Sequence, residues 1–276
     1  MRVAALVEPG SPGVKIITAL AREDIPIAAV VVEVRQPAKP KPMTGAGQAD
    51  RILSKTKTAW AGMAAKAADY GNEAAFWASQ LAGLRPPAWL PPWTLKRRHF
   101  TADYYRRFSN RFLVVGNFNG RAAVDFLGEI GPDIIVLCGV NRIIKRQVIG
   151  IPRRGILNAH PGALPRYRGV DPVPHALLNG DRPELTVHLV DEGIDSGPVL
   201  ETAPIPVGKK DSINDIWKTS EDIGASLMVK AVRSLMDGTA SPRAQDNSVS
   251  CYNHRMSNAE KPKAAKRLKQ MQRGMK

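Results

Sequence analysis

The chemistry of this 276-residue chain is concentrated in Leu157-Asn158-Ala159-His160-Pro161-Gly162-Ala163-Leu164-Pro165-Arg166-Tyr167-Arg168-Gly169. A short apolar run starting at Ile156 ends there, and Pro161 withdraws the N–H that further strand pairing needs. In an extended chain residues i and i+2 point to the same side. Asn158 and His160 thus present an amide and an imidazole to one point in space. Downstream, Asp191-Glu192-Gly193-Ile194-Asp195-Ser196-Gly197-Pro198 follows the run Leu185 to Val190. Any of its three acids could supply a carboxylate to His160. A carboxylate orients and charges an imidazole, and an imidazolium with an amide N–H stabilises a developing oxyanion. That set suits acyl transfer. Neither Ser nor Cys stands in a nucleophile elbow, so the attacking group is expected to be an amine of the substrate. His188 alternates with apolar neighbours and fits a cleft wall as well as a ligand contact. His160, Asp191 and Asp195 lack the tight spacing of a metal site, so no metal is expected.

These residues need a parallel sheet to hold them. Val3 to Val7 is a continuous apolar run, as a strand covered on both faces would be. A turn follows at Glu8-Pro9-Gly10-Ser11-Pro12-Gly13, then helical spacing of Ile16, Ile17 and Leu20 through Glu23. Ile25 to Val32 is a second run, rich in β-branched residues. Strand, turn, helix and strand predict a right-handed parallel crossover. The pattern resumes with a strand at 112–115, a helix with Asn119 as its N-cap, and an apolar strand at 134–139. Further strands are expected at 156–158 and 185–190, and a helix at about 215–236. Asn158 and His160 then lie at the C-terminal edge of the sheet, where open α/β folds place ligands.

Between these blocks, 35–57 is a Pro- and Lys-containing loop and 58–82 an Ala-rich helical stretch. Residues 85–93 carry too many prolines for a helix. The segment 35–105 is accordingly expected as a helical insertion in a catalytic domain of residues 1–240, with 241–276 as a basic extension. The chain has 40 Lys+Arg against 25 Asp+Glu, a net charge of +15. Residues 255–276 hold eight basic residues against Glu260, and 35–57 hold six against Asp50. Those two stretches carry +12 of the total, so the body is nearly neutral and nucleic acid is not the favoured partner. Aromatics at 6% also argue against an aromatic platform for RNA. Two cysteines give no disulfide framework or metal set, no signal peptide is evident, and no apolar run approaches the ~18 residues of a membrane span. A cytoplasmic protein is expected.

Asn-x-His-Pro, then Leu-Pro-x-Tyr-Arg-Gly, then Thr-Val-His-x-Val-Asp-Glu-Gly-Ile-Asp-Ser-Gly-Pro-Val-Leu, resemble the folate-dependent formyltransferase superfamily. The resemblance covers about 111–238 and includes the glycinamide ribonucleotide, methionyl-tRNA and sugar-nucleotide N-formyltransferases. It implies a Rossmann-like fold with a mostly parallel sheet flanked by helices, and 10-formyltetrahydrofolate as formyl donor. It implies donor contacts from Val140, Arg142, Ile143 and Ile144 in the loop after the central strand, and from Val190 and Asp191. Asn158 and His160 would stabilise the tetrahedral intermediate while Asp195 holds His160 and helps move the proton. Arg168, Gly169 and His188 are expected on the acceptor side. The acceptor would be a small-molecule amine, phosphorylated and nucleotide-linked ones included. Water in place of the amine would make the chain a 10-formyltetrahydrofolate deformylase, and an idle RNA-associated protein is the other alternative. Many relatives carry Ser-Leu-Leu-Pro after the His-Pro, where this chain has Gly162-Ala163-Leu164-Pro165.

Overall fold

The structure is a computed structural model that describes residues 1–34 and 102–275. The loop 35–57, the helical stretch 58–82 and the Pro-rich connection 85–93 expected from sequence lie outside those residues, as does the expected insertion except for 102–105.

The first unit is β1 (Val3–Val7), α1 (Ser11–Arg22) and β2 (Ile27–Glu33). Strand β1 is buried throughout because β2 pairs along one edge and β4 (Ile134–Cys138) along the other. Gly13 is needed at the start of α1. A Cβ there would stand 2.7 Å from the Cys138 carbonyl oxygen and 2.8 Å from that of Glu8. The helix thus begins directly against the ends of β1 and β4, as expected where a crossover helix packs on its sheet.

A short helix α2 (Ala102–Tyr105) leads to β3 (Phe112–Val115), and α3 (Arg121–Ile130) joins β3 to β4. After β4 come α4 (Arg146–Ile149), β5 (Ile156–His160), β6 (Arg168–Gly169), α5 (Pro172–Asn179), β7 (Glu184–Leu189) and β8 (Val199–Pro204). Helix α6 (Ile213–Asp237), β9 (Tyr252–Asn253) and α7 (Lys261–Arg273) complete the described chain. Helix α6 opens with a capping box, Ser212 and Asp215 each satisfying the other's backbone N–H.

Seven strands form one sheet in the order β3-β2-β1-β4-β5-β7-β8. The pairs from β3 to β5 are parallel; β7 runs antiparallel to both β5 and β8. The two faces bury separate cores. Val3, Ala5 and Val7 pack with Leu20 of α1 and Met228 and Val232 of α6, while Ala4 and Leu6 pack with Ala123 and Leu127 of α3. The alternation along one strand is the pleat of a sheet covered on both sides.

One local expectation changes. Helix α3 starts from Gly120 with no side-chain cap. Asn119 instead ties the loop after β4, its Nδ2 donating to the Ile143 carbonyl (2.9 Å) and its Oδ1 accepting from the Lys145 N–H (2.7 Å). The basic segment 255–275 packs against the rest of the described chain. Helix α7 packs on α5, with Ala264 and Leu268 buried and its lysines outward, and Met256 is buried as well. Its apolar side is a stripe at helical spacing, and the charge sits on the other side of the same helix.

Candidate active site

The register of β5 on β7 assembles the site. Asn158 stands opposite His188, and His160 opposite Thr186. Cross-strand partners in an antiparallel pair share a face at short range, so the two imidazoles and the amide meet at one end of the sheet.

His160 is buried, at 5% exposure. Its Nε2–H donates to the Tyr167 carbonyl (2.7 Å), which leaves Nδ1 facing Asp195 Oδ2 at 3.5 Å. Burial lowers the pKa of the ring, and the Asp195 carboxylate and the Tyr167 carbonyl oppose that. The loop after β5 is pinned by Thr186, whose hydroxyl donates to the Gly162 carbonyl (2.8 Å). Gly162 is where that loop passes the ring. A Cβ there would lie 2.7 Å from both His160 Nε2 and the Tyr167 carbonyl oxygen.

His188 is likewise buried, and its Nδ1–H donates to the Leu189 carbonyl (2.8 Å). In the neutral ring Nε2 is then an acceptor. It lies 3.2 Å from Asn158 Nδ2, which donates to it. His188 therefore sets which end of the Asn158 amide faces inward.

Of the three acids in the loop after β7, Asp195 is the one that reaches the two imidazoles. Its Oδ2 accepts from the Gly169 N–H (2.9 Å), and its Oδ1 lies 3.6 Å from His188 Nε2. Burial would raise its pKa, but the facing His160 ring and the Gly169 N–H oppose burial, and the carboxyl is held at about 2. Asp195 is thus an anion at neutral pH. Asp191 is used within its own loop, accepting from the Ser196 hydroxyl (2.7 Å) and the Gly193 N–H (3.1 Å). Glu192 pairs with Arg146 at the surface (3.2 Å).

Asn158, His160, His188 and Asp195 line one cavity of about 480 Å³. Val140, Arg142, Ile143 and Ile144, from the loop after β4, form another part of its wall with Val190 and Asp191. Gly169 also lines it, but Arg168 does not. The Arg168 guanidinium donates to Gln245 Oε1 (2.7 and 3.1 Å) and to Asn247 Oδ1 (2.8 Å). Arg142 is held from below. Its Nε lies 2.7 Å from both oxygens of Glu33, whose buried carboxylate also accepts from the Phe118 N–H (2.8 Å). Among the described residues no group of three His, Cys, Asp or Glu is arranged to hold a metal ion. No helix among them is long and apolar enough to cross a membrane.

Several contributors escaped the sequence reading. Asp171, Trp217, Tyr252 and Arg255 line the cavity, and the last two come from the segment after residue 240. Glu33 carried a signal, an acid at the end of an otherwise apolar β-branched strand, which calls for a buried cation as partner. Tyr252 and Arg255 carried none, because nothing in their spacing points towards residues almost a hundred positions earlier.

Residues 113–232 match the family model described as Formyl transferase. Over 137 residues the chain is 32% identical to a methionyl-tRNA formyltransferase of Legionella pneumophila (strain Paris), a match covering 49% of this chain and 44% of that protein. The chain thus matches less than half the length of that relative. An N-formyltransferase from Helicobacter canadensis, in complex with folinic acid and dTDP-3-aminofucose, superposes with a TM-score of 0.56 at 15% identity, covering 98% of this chain and 81% of that one. Glycinamide ribonucleotide transformylase 1 from Symbiobacterium toebii gives 0.54 at 19% identity, covering 89% and 94%. The fold is the Rossmann-like fold of the formyltransferases. Within it, the stretch from β3 into α6 is the part that matches the formyl transferase model, and it contains Asn158, His160 and Asp195.

Proposed function

We propose that the chain is an N-formyltransferase that moves a formyl group from 10-formyltetrahydrofolate to a primary amine. The observation that carries this reading is the meeting of Asn158, His160 and Asp195 in one cavity, inside the matched segment. The cavity suits such a donor. Val140, Ile143, Ile144 and Val190 offer an apolar wall for a flat ring system, with backbone polar groups of the same loop beside it.

The donor supplies a formyl group on nitrogen, so attack by an amine is acyl transfer. Asn158 donates one amide N–H to His188 and, among the described residues, has no partner for the second. That second N–H stabilises the formyl oxygen as it gains negative charge. His160, on taking up the amine proton at Nδ1 beside the Asp195 anion, adds positive charge at the same point. A bond forms between the amine nitrogen and the formyl carbon, and the bond from that carbon to the folate nitrogen breaks. The proton lost by the amine passes by way of the His160–Asp195 pair to the departing nitrogen. With its pKa at about 2, Asp195 acts as the standing anion that makes a charged His160 accessible despite burial.

The acceptor reaches the cavity beside Asp171, Tyr252 and Arg255. The reading extends to small-molecule amines, phosphorylated and nucleotide-linked ones included, and to a cytoplasmic location, in keeping with two free cysteines.

The test incubates the full chain with 10-formyltetrahydrofolate and a panel of amines, amino-sugar nucleotides among them. Tetrahydrofolate is followed by absorbance and the N-formyl product by mass. Formyl product with one amine, lost in His160→Asn, supports the reading. Formate released at the same rate with and without every amine assigns a deformylase instead. A chain that consumes no donor under any condition overturns both.

A further inference from the structure

Gln245 lies outside the matched segment, yet it touches the back of the candidate site. Its side-chain amide donates to the Asp195 carbonyl (2.9 Å) and the Gly197 carbonyl (2.7 Å), and its Oε1 accepts from Arg168. Arg168 adjoins Gly169, whose N–H holds the Asp195 carboxylate. One side chain from the C-terminal segment thus grips both the loop that carries Asp195 and the strand that supplies its hydrogen bond.

Asp195 needs such a grip. Its backbone is in the left-handed region, with φ of 50°, a conformation that costs a non-glycine residue free energy unless its surroundings enforce it. Gly197, two residues on, has its Cα packed against the Leu189 carbonyl, which fixes the other end of the turn. The segment bearing Gln245 is itself anchored on both sides. Arg243 exchanges backbone hydrogen bonds with Val199 in both directions (2.8 Å each), and β9 pairs with β6.

We infer that Gln245 is a positioning residue for Asp195, acting through the backbone of the 195–197 turn, and that the C-terminal segment is therefore part of the catalytic apparatus. The inference rests on the proposed function for its catalytic meaning, but its structural content does not.

The test uses the full chain with Gln245→Met, which keeps side-chain length and removes both donors and the acceptor. The His160 ring is followed by NMR as a function of pH, with His160→Asn supplying the assignment. The groups facing this centre are His160 on β5, His188 on β7, Asp195 itself, the Gly169 N–H on β6, and Arg168 behind Gln245. Asp195 opposes the effect of burial on His160, so an Asp195 that drifts away lets the His160 midpoint fall. We expect a fall of about half a pH unit or more, a shift of the size that nearby charges produce. In the transfer assay kcat should drop about tenfold or more while KM for the folate donor changes little, because the donor wall is untouched. Gln245→Asn keeps an amide too short to span both carbonyls, and should shift both readouts part-way. If Gln245→Met fails to fold, the shorter amide alone carries the test. A His160 midpoint and kcat unchanged in a folded variant overturn the inference. A shifted midpoint in a chain with no transferase activity, wild type included, upholds the positioning and overturns the proposed function.

Discussion

Glu33 lies buried beneath Arg142, with both carboxylate oxygens 2.7 Å from the arginine Nε. The acid sits at the end of β2 and the base in the loop after β4, so the pair fixes a cavity-lining loop to the sheet. Together with the Asn119 hydrogen bonds to Ile143 and Lys145, it makes that loop a preformed wall. Preformed walls bind without the ordering cost of a mobile loop.

Removing Arg142 leaves the buried Glu33 carboxylate without the guanidinium that neutralises it. Arg142→Met should destabilise the protein by roughly 3 kcal/mol, the range found when one partner of a buried pair is removed. Glu33→Gln, which keeps hydrogen bonds without a charge, should cost less. Urea unfolding followed by circular dichroism compares the two, and equal costs would show that the charge is not the issue. Both variants should also weaken folate binding in calorimetry.

Asp195→Asn tests both chemistry and pH linkage. Transfer should fall about 10²- to 10⁴-fold, as when a positioned proton-transfer group is lost. The sign for stability follows from a carboxylate depressed from 3.8 to about 2 in the folded state. Its contribution, on the order of 2 kcal/mol, is fully present above the unfolded value and is lost as pH falls from there through about 2. His160, also lowered, works in the same direction at higher pH, below 6.5, because the unfolded ring takes up its proton first. Unfolding free energies from pH 7 to pH 2 should therefore fall for the wild type. The variant should lack the steep portion below pH 4, and a parallel fall would refute the assignment.

Gly162→Ser places in this chain the residue that many relatives of the resembled superfamily carry. Here its Cβ would press on His160 Nε2 and on the carbonyl that orients it. The loop or the ring must move by several tenths of an ångström. Activity should drop more than tenfold, with a loss in melting temperature of a few degrees, the shift expected for about 1 kcal/mol in a domain of this size. Wild-type activity would mean that the loop yields without cost.

Leu268→Ala probes the basic C-terminal helix. Leu268 is buried at 3% exposure and belongs to the main core of the molecule. Truncating it should cost about 2–5 kcal/mol, as for other buried leucines. A solvated tail would lose nothing, so differential scanning calorimetry separates the two cases directly.

The sequence by itself determined much of this protein. Its apolar runs marked β1, β2, β4 and β7 within a residue or two, because a strand covered on both faces admits little else. The i and i+2 spacing of Asn158 and His160, with Pro161 closing the strand, put two functional groups on one side through local geometry alone. The choice among Asp191, Glu192 and Asp195 was not local. Three acids within five residues look alike until the turn is built, and then only Asp195, at φ 50°, faces the imidazoles. The partners of Arg168 were not local either, since Gln245 and Asn247 reach it from the C-terminal segment. Gln245, Tyr252 and Arg255 came in from a segment read as a basic extension. Their contribution depends on Arg243 and β9 pairing with distant strands, a long-range contact with no periodic trace in the sequence. Periodicity reports which face of an element is buried; tertiary structure decided which loops meet over it, because that depends on packing between segments far apart in the chain.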